Sequence, residues 1–486
     1  MTLTHDLLIG GKEVPARSGR TTPDLTPHTG EAYATVAAAG PEDVTLAVDA
    51  AEAAFDAWAA VSPYARRAIL LKAADLLEAR REQAAGLMAG EVAGTRGWAY
   101  FNVALAANML REAAAAVTAP QGEVLAAQEA GALGLAVREP VGVVAAFSPW
   151  NAPVILGVRA VAAPLAAGNT VVLKPSEEAP LACGLFVADV LRDAGLPDGV
   201  LNVITNDPAD APAIAEALIA DERVRAVNFT GSTGVGRIIG TTAAQFLKPA
   251  VLELGGKNAV IVLDDADVDY AVDAAAFAAF MNSGQICMSA DRILVHASLA
   301  EEFSAKFAAK VAALPSGDPA EPTTVIGPLI SPAASARVAA LVKDAVAKGA
   351  TVLTGGGARD GAHYPATVLT HLPEDAELYH GEAFGPVCVI DTFTTDDEAI
   401  AKANDTDNGL TCGIITENGI HGLRVARRIR TGIVHVNDQS VADEPQAPFG
   451  GFKASGYGRF GGRWGIESFT NTRWVTLATQ HAHYPF

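Results

Sequence analysis

The chain has 486 residues, 50% hydrophobic and 19% charged, and 35 Lys plus Arg against 55 Asp plus Glu leave a net charge of -20. This excludes a disordered chain, and the 46 Gly and 27 Pro follow no collagen-type period, which excludes a fibre. At roughly 150 residues per domain, two or three folded units are predicted; the acidity argues against nucleic acid or an anionic membrane as partner, because those surfaces select clustered Lys and Arg.

The opening MTLTHDLLIGGKEVPARSG lacks a basic run followed by an apolar one, so it does not read as a signal peptide, and a soluble cytoplasmic protein is expected. Residues 5–13 predict a hairpin turning at Gly10-Gly11. Alanine-rich text from Asp43 to Ala93 has a helical period, and a further helix is predicted over Trp98 to Val117. Residues 119–138 lose that period and read as an extended, exposed hairpin. Val141 to Leu173 is apolar enough to suggest a membrane span. Trp150, Asn151, Pro153, Arg159, Pro164 and Asn169 interrupt it, so a buried strand–helix–strand is predicted instead. Strands at VGVVAAFSP, NTVVLKPS, VLNVIT, AVNFTG and AVIVLD alternate with helices, the pattern of a doubly wound parallel sheet. The alternation restarts after residue 265, and WVTLATQ closes the chain as a strand. The predicted architecture is two α/β lobes plus a protruding hairpin, with no internal repeat.

Four cysteines are too few and too scattered for a disulfide framework, no pair has metal-ligand spacing, and the ten histidines form no HExxH-type cluster, so no metal is expected. Cys183, Cys388 and Cys412 lie in apolar helix or strand text and are assigned to packing. Cys287, in NSGQICMSADR, sits among small and polar residues at a helix-to-loop junction. An open thiol there, with backbone N–H groups lowering its pKa, is the nucleophile candidate. Glu253, between leucines in VLELGGKNAVIVL, is costly to ionise, and its pKa should rise toward that of a general base. Asn151 in FSPWNAP precedes a helix beginning at Pro153, where its amide is either an N-cap or a donor to a developing oxyanion. Lys174 and Glu177 in VVLKPSEEAP lie at a carboxyl strand edge within reach of a ribose. Ser232 in FTGSTGVG opens a helix suited to phosphate, although the spacing is not GxGxxG.

In this order the motifs resemble those of the aldehyde dehydrogenase superfamily from end to end, through FSPWN, KPSEE, FTGSTGVG, LELGGKN, GQICMS, EAFGPV and APFGGFKASGYGR. The resemblance implies an aldehyde dehydrogenase-like α/β fold. Residues 1–118 and 139–252 would form the dinucleotide-binding domain, 253–453 the catalytic domain, and 119–138 with 466–486 the bridging segments of a homodimer or dimer of dimers. It implies Cys287 as nucleophile, Glu253 as general base and Asn151 as oxyanion donor. It also implies Lys174 and Glu177 at the adenosine ribose, Ser232 at the pyrophosphate, Trp150 among the cofactor contacts, and Glu382 with Phe384 clamping the nicotinamide ribose. Gly234 stands where many relatives carry an acidic residue, a departure taken as neutral. The retained base favours hydrolysis over acyl transfer to coenzyme A. The Glu177 carboxylate favours NAD, with NADP as the alternative because Lys174 serves either.

The substrate funnel is more individual. Ala152 is small where many family members are aromatic. Arg159 interrupts an apolar helix, either leaving it for solvent or a carboxylate, or lining the pocket for a ring hydroxyl, an aromatic face or a product carboxylate. Trp98, with Tyr100 nearby, and Phe449 are candidates for the wall of an aromatic slot, and Ile286 and Met288 flank the nucleophile. PWNAPVILGVRA with DEPQAPFGGFKASGYGRFGG is most similar to the benzaldehyde-type branch, which includes vanillin and salicylaldehyde dehydrogenases. The expected reaction is therefore NAD-dependent oxidation of an aromatic aldehyde to its acid through a cysteine thiohemiacetal and thioester. Two alternatives stay open: an aliphatic semialdehyde of the succinate semialdehyde type, its carboxylate held by Arg159, and a non-catalytic binding or structural homologue.

Overall fold

In the computed structural model, which describes residues 4–119, 121–129, 131–481 and 483–486, the expected hairpin pairs Leu7–Ile9 with Lys12–Val14. Gly10 and Gly11 turn it with φ of 60° and 75°, the left-handed pair a two-residue primed turn requires. Four helices follow, Pro41–Ala59, Pro63–Ala79, Arg81–Val92 and Arg96–Ala116. Ser62 and Thr95 cap the second and fourth by accepting from Ala65 N and Trp98 N.

An eight-stranded sheet runs in the order Gly456–Tyr457, Ala250–Glu253, Val224–Thr230, Val143–Ser148, Thr170–Pro175, Leu201–Val203, Leu7–Ile9, Lys12–Val14. A seven-stranded sheet runs Thr351–Thr354, Thr367–Thr370, Val387–Phe393, Ala290–His296, Asn258–Val262, Thr411–Ile415, Ile433–Val436. The parallel prediction holds for both interiors, and antiparallel strands add to the edges, one of them the predicted hairpin. The N-terminal hairpin, Gly456–Tyr457 and Thr351–Thr354 all pair antiparallel. Only a parallel neighbour requires a helical crossover, so a hairpin or a returning segment adds to an edge in the antiparallel sense.

Helix Pro153–Ala167 is buried on nearly every face, which explains its membrane-like composition. Among the described residues no helix is long and apolar enough to cross a membrane. Gly122–Leu125, Leu133–Pro140 and Thr470–Leu477 form a separate three-stranded antiparallel sheet. This is the region where the exposed hairpin was expected; residues 120 and 130 of it lie outside the described residues, as do 1–3 and 482 of the other segments.

Candidate active site

The strand order of the first sheet reverses beside Val143–Ser148. The chain continues through Thr170–Pro175 and Leu201–Val203 on one side, then fills the other side with Val224–Thr230 and Ala250–Glu253. Connections leave such a point in opposite directions and open a crevice at the carboxyl ends. Two adjoining clefts lie there and share Pro149, Trp150, Thr230 and Gly231. The outer, of about 550 Å³, is lined by Lys174 and Glu177 and by Val235 and Ile238 of helix Thr233–Gln245. The inner, of about 380 Å³, is lined by Asn151, Ser232, Glu253, Cys287, Glu382 and Phe384. The motifs quoted from distant parts of the sequence thus converge on one continuous space.

In the outer cleft the polar groups answer one another. Lys174 pairs with Glu177, whose carboxylate also accepts from Asn206 Nδ2 at 2.9 Å. Ser232 caps its helix, accepting from Val235 N at 3.4 Å. Between the clefts, Trp150 meets Phe384 edge to face with centroids 5.7 Å apart. Glu382 accepts from Gly256 N at 3.1 Å.

The nucleophile candidate follows helix Val268–Phe280 through a left-handed turn at Asn282, Ser283 and Gly284, with φ of 51°, 54° and 72°. Such backbone is unfavourable outside glycine, and tertiary bonds hold it here. Ser283 Oγ donates to Gly327 O at 3.0 Å, and Gln285 Oε1 accepts from Ile330 N at 2.9 Å. Asn151 Nδ2 donates to Gln285 O at 3.0 Å, while Asn151 O accepts from Trp98 Nε1 and Asn282 Nδ2, each at 3.0 Å. The N-cap of the following helix is Ala152, so the N-cap reading of Asn151 falls. On the opposite side Asn258 Nδ2 donates to Cys287 O at 2.8 Å. A side chain at Gly255 would collide with the Glu382 carboxylate, and one at Gly256 with Cys287 O, so the paired glycines of LELGGKN admit both groups to the corner beside Glu253.

Burial pushes the Glu253 carboxyl up to about 7, and the Arg159 charge and the neighbouring Cys287 thiol pull it back only in part. Both carboxyl oxygens are enclosed without a hydrogen-bond partner. The direction is the one expected from its leucine-flanked position. For Cys287 the expectation fails: burial and the Glu253 charge hold the thiol well above its ordinary value, and Arg159 offsets this only partly. The fold supplies the reason, since it encloses the thiol beside the Glu253 carboxyl, where the charged form is disfavoured. Glu382 is likewise raised to about 8 by burial. Cys183, Cys388 and Cys412 are buried, and burial pushes the thiols of Cys183 and Cys412 up to about 12, as packing residues require.

Trp98 is corrected from slot wall to core: it is buried, stacks on Phe101 and supports Asn151 O, while Tyr100 turns to Glu82 and Arg96. Its bulk sits where helix Arg96–Ala116 packs on helix Pro153–Ala167. Ala152, Ile286, Met288 and Phe449 are buried in one apolar cluster against which Cys287 packs, behind the open clefts rather than lining them. Arg159 takes the carboxylate among the alternatives left open for it. It pairs with the enclosed carboxylate of Asp443, and its guanidinium lies 4.0 Å from the centre of the Phe449 ring and 6.0 Å from that of Phe460. A narrow cavity of about 40 Å³ touches this group. Losing one partner of an enclosed pair costs about 3–5 kcal/mol, against about 0–1 kcal/mol for a surface pair. Arg159 is therefore held firmly by Asp443. Sequence reasoning gave no role to Asp443, although it is the first residue of DEPQAPFGGFKASGYGRFGG. It quoted Gln285 and Asn258 within motifs without a role, although a polar residue inside apolar text was the available signal.

A crevice at a switch point, joined to a thiol and an enclosed carboxyl, belongs to the nucleotide-dependent oxidoreductases. Residues 14–475 match the aldehyde dehydrogenase family, and the chain belongs to it, an aldehyde oxidoreductase using NAD(P). It is 51% identical over 479 residues to the vanillin dehydrogenase of Pseudomonas fluorescens, covering 99% of each chain. It is 46% identical over 445 residues to the salicylaldehyde dehydrogenase of Pseudomonas putida, covering 91% of this chain and 92% of the other. The crystal structure of a salicylaldehyde dehydrogenase from Pseudomonas putida G7, complexed with salicylaldehyde, matches with a TM-score of 0.97 and 42% identity over 100% of both chains.

Proposed function

We propose that the protein oxidises aromatic aldehydes of the vanillin, salicylaldehyde or benzaldehyde type to carboxylic acids, with NAD preferred. The observation that carries the substrate class is the neutralised Arg159–Asp443 pair against Phe449, which leaves the wall behind Cys287 aromatic and apolar, its guanidinium already answered. The likeness to vanillin and salicylaldehyde dehydrogenases supports the same class. The semialdehyde alternative needs a free cation at Arg159, and the non-catalytic alternative leaves the enclosed Glu253 beside a thiol without a purpose.

The residues present fit a dinucleotide. The flank of helix Thr233–Gln245 offers exposed Val235 and Ile238 to a flat base, Ser232 and the helix amino end suit a pyrophosphate, and Lys174 with Glu177 stands ready for ribose hydroxyls. Glu177 would repel a 2′-phosphate, which favours NAD. Trp150, Glu382 and Phe384 bound the inner cleft on the nicotinamide side. NAD bound there supplies the hydride acceptor.

The chain's own groups account for the rest. The Cys287 thiol gives up its proton to solvent and its sulfur attacks the aldehyde carbon, the Arg159 charge offsetting in part the burial and the Glu253 charge that disfavour the thiolate. The Asn151 amide keeps one N–H on Gln285 O and has a second for the oxyanion, with the Cys287 amide beside it. Glu253, in its ionised form, then takes a proton from the water that hydrolyses the thioester. The proposal divides the chain into a dinucleotide-binding domain (1–118, 139–252), a catalytic domain (253–453) and bridging segments (119–138, 466–486). Exposed Val124, Leu133, Trp474 and Leu477 on the third sheet support assembly into a homodimer or dimer of dimers. Four free cysteines support a cytoplasmic location.

The test is NADH or NADPH formation with vanillin, salicylaldehyde, benzaldehyde, hexanal and succinate semialdehyde. The highest kcat/KM is expected for an aromatic aldehyde with NAD. A higher value for succinate semialdehyde would return Arg159 to the role of carboxylate anchor.

A further inference from the structure

The segment Gln439–Phe449, which runs into DEPQAPFGG from Asp443 on, ties the two halves of the site together. Ser440 Oγ donates to Met288 O at 2.8 Å, one residue from the nucleophile, and Ser440 O accepts from Thr411 Oγ1 at 3.1 Å. Asp443, three residues on, pairs with Arg159 in the helix that follows Asn151, and both side chains are at most 6% exposed. Phe449 then lies against the guanidinium. One enclosed ion pair thereby links the nucleophile side to the oxyanion side.

We propose that Asp443 is a positioning residue for the reaction, holding the Arg159 guanidinium against Phe449 and, by neutralising it, setting the electrostatic field at Glu253. This rests on Glu253 being the base of the hydrolytic step. Arg159 pulls the Glu253 carboxyl toward its ionised form, and Asp443 pushes it toward the neutral form, with the Cys287 thiol as the other close partner and Glu382 coupled to both. Asp443 itself faces Arg159, Glu444 and His435. Removing Asp443 therefore unmasks a positive charge, and removing Arg159 unmasks a negative one.

The experiment is the pH dependence of kcat under conditions where hydrolysis limits turnover, with the amplitude of the NADH burst counting folded, competent sites. Asp443→Asn should move the acidic limb to lower pH by roughly one unit, and Arg159→Gln should move it up by roughly as much. The double variant Arg159→Gln/Asp443→Asn, which leaves no buried charge unpaired, should return toward the parent limb. Arg159→Lys, which keeps the charge without the planar stack, should leave the limb in place while raising KM for vanillin more than for hexanal. Single-variant limbs that stay put, or that move in the same direction, would overturn the proposal and leave the pair a purely structural link. A parent limb that persists unchanged in Glu253→Gln would instead overturn the base reading on which the proposal stands.

Discussion

The two sheets meet the shared cleft with opposite ends. The first presents its carboxyl edge, where Ser148, Pro175, Thr230 and Glu253 finish their strands and helix Thr233–Gln245 begins. The second presents its amino edge, where Asn258 and Ala290 begin strands on either side of the bond from Asn258 to Cys287 O. A carboxyl edge gathers helix amino ends, whose N–H groups and positive pole suit phosphate. An amino edge receives helix carboxyl ends, which do nothing to favour an anion. The polar groups follow the same division: Lys174, Glu177 and Asn206 are already bonded to one another, whereas both oxygens of Glu253 are left without partners. On the cofactor side the charged pair is thus bonded in advance, although Asn206 Oδ1 has no partner, and on the chemical side the enclosed Glu253 carboxyl has only the Cys287 thiol beside it.

The largest effect that tests this contrast is Cys287→Ala. Turnover should fall by about 10⁴-fold or more, while NAD binding, followed by fluorescence titration, stays unchanged. Retained oxidation would remove the chemistry from the second sheet's amino edge. Glu253→Gln comes next, with a steady-state loss of about 10²- to 10⁴-fold after an NADH burst of one equivalent per site. In the parent, hydrolysis should rise with pH through about 7, because the base works only when ionised and burial has raised its carboxyl to that value. Loss of the burst as well would place Glu253 at the thiol proton. The smallest effect is Glu177→Gln, which should raise KM for NAD by about tenfold, leave kcat unchanged and narrow the preference over NADP. A fall in kcat would show that the two sides are not independent.

Much of this was legible in the text of the chain. Strand–helix alternation predicted both α/β lobes because period and residue type are local properties. Glu253 could be read as a raised carboxyl because the leucines that bury it are its neighbours in sequence. Cys287 could be singled out from three apolar cysteines in the same way. The N-terminal edge was legible as a hairpin, whereas Gly456–Tyr457 and Thr351–Thr354 escaped because a strand's own residues do not state which side of a sheet it joins.

What only the tertiary structure decided depends on partners far away or on direction. The pKa of Cys287 departs from its small, polar sequence neighbours because the fold alone encloses the thiol and sets Glu253 beside it. Trp98 looked like a pocket wall until its indole N–H found Asn151 O, 53 residues away. Arg159 left open solvent, carboxylate and substrate; the carboxylate that pairs with it, Asp443, is 284 residues distant. Residue type and spacing determined which groups were available to react, and long-range packing determined which of them were already satisfied, because an enclosed charge takes its partner from whatever the fold places beside it.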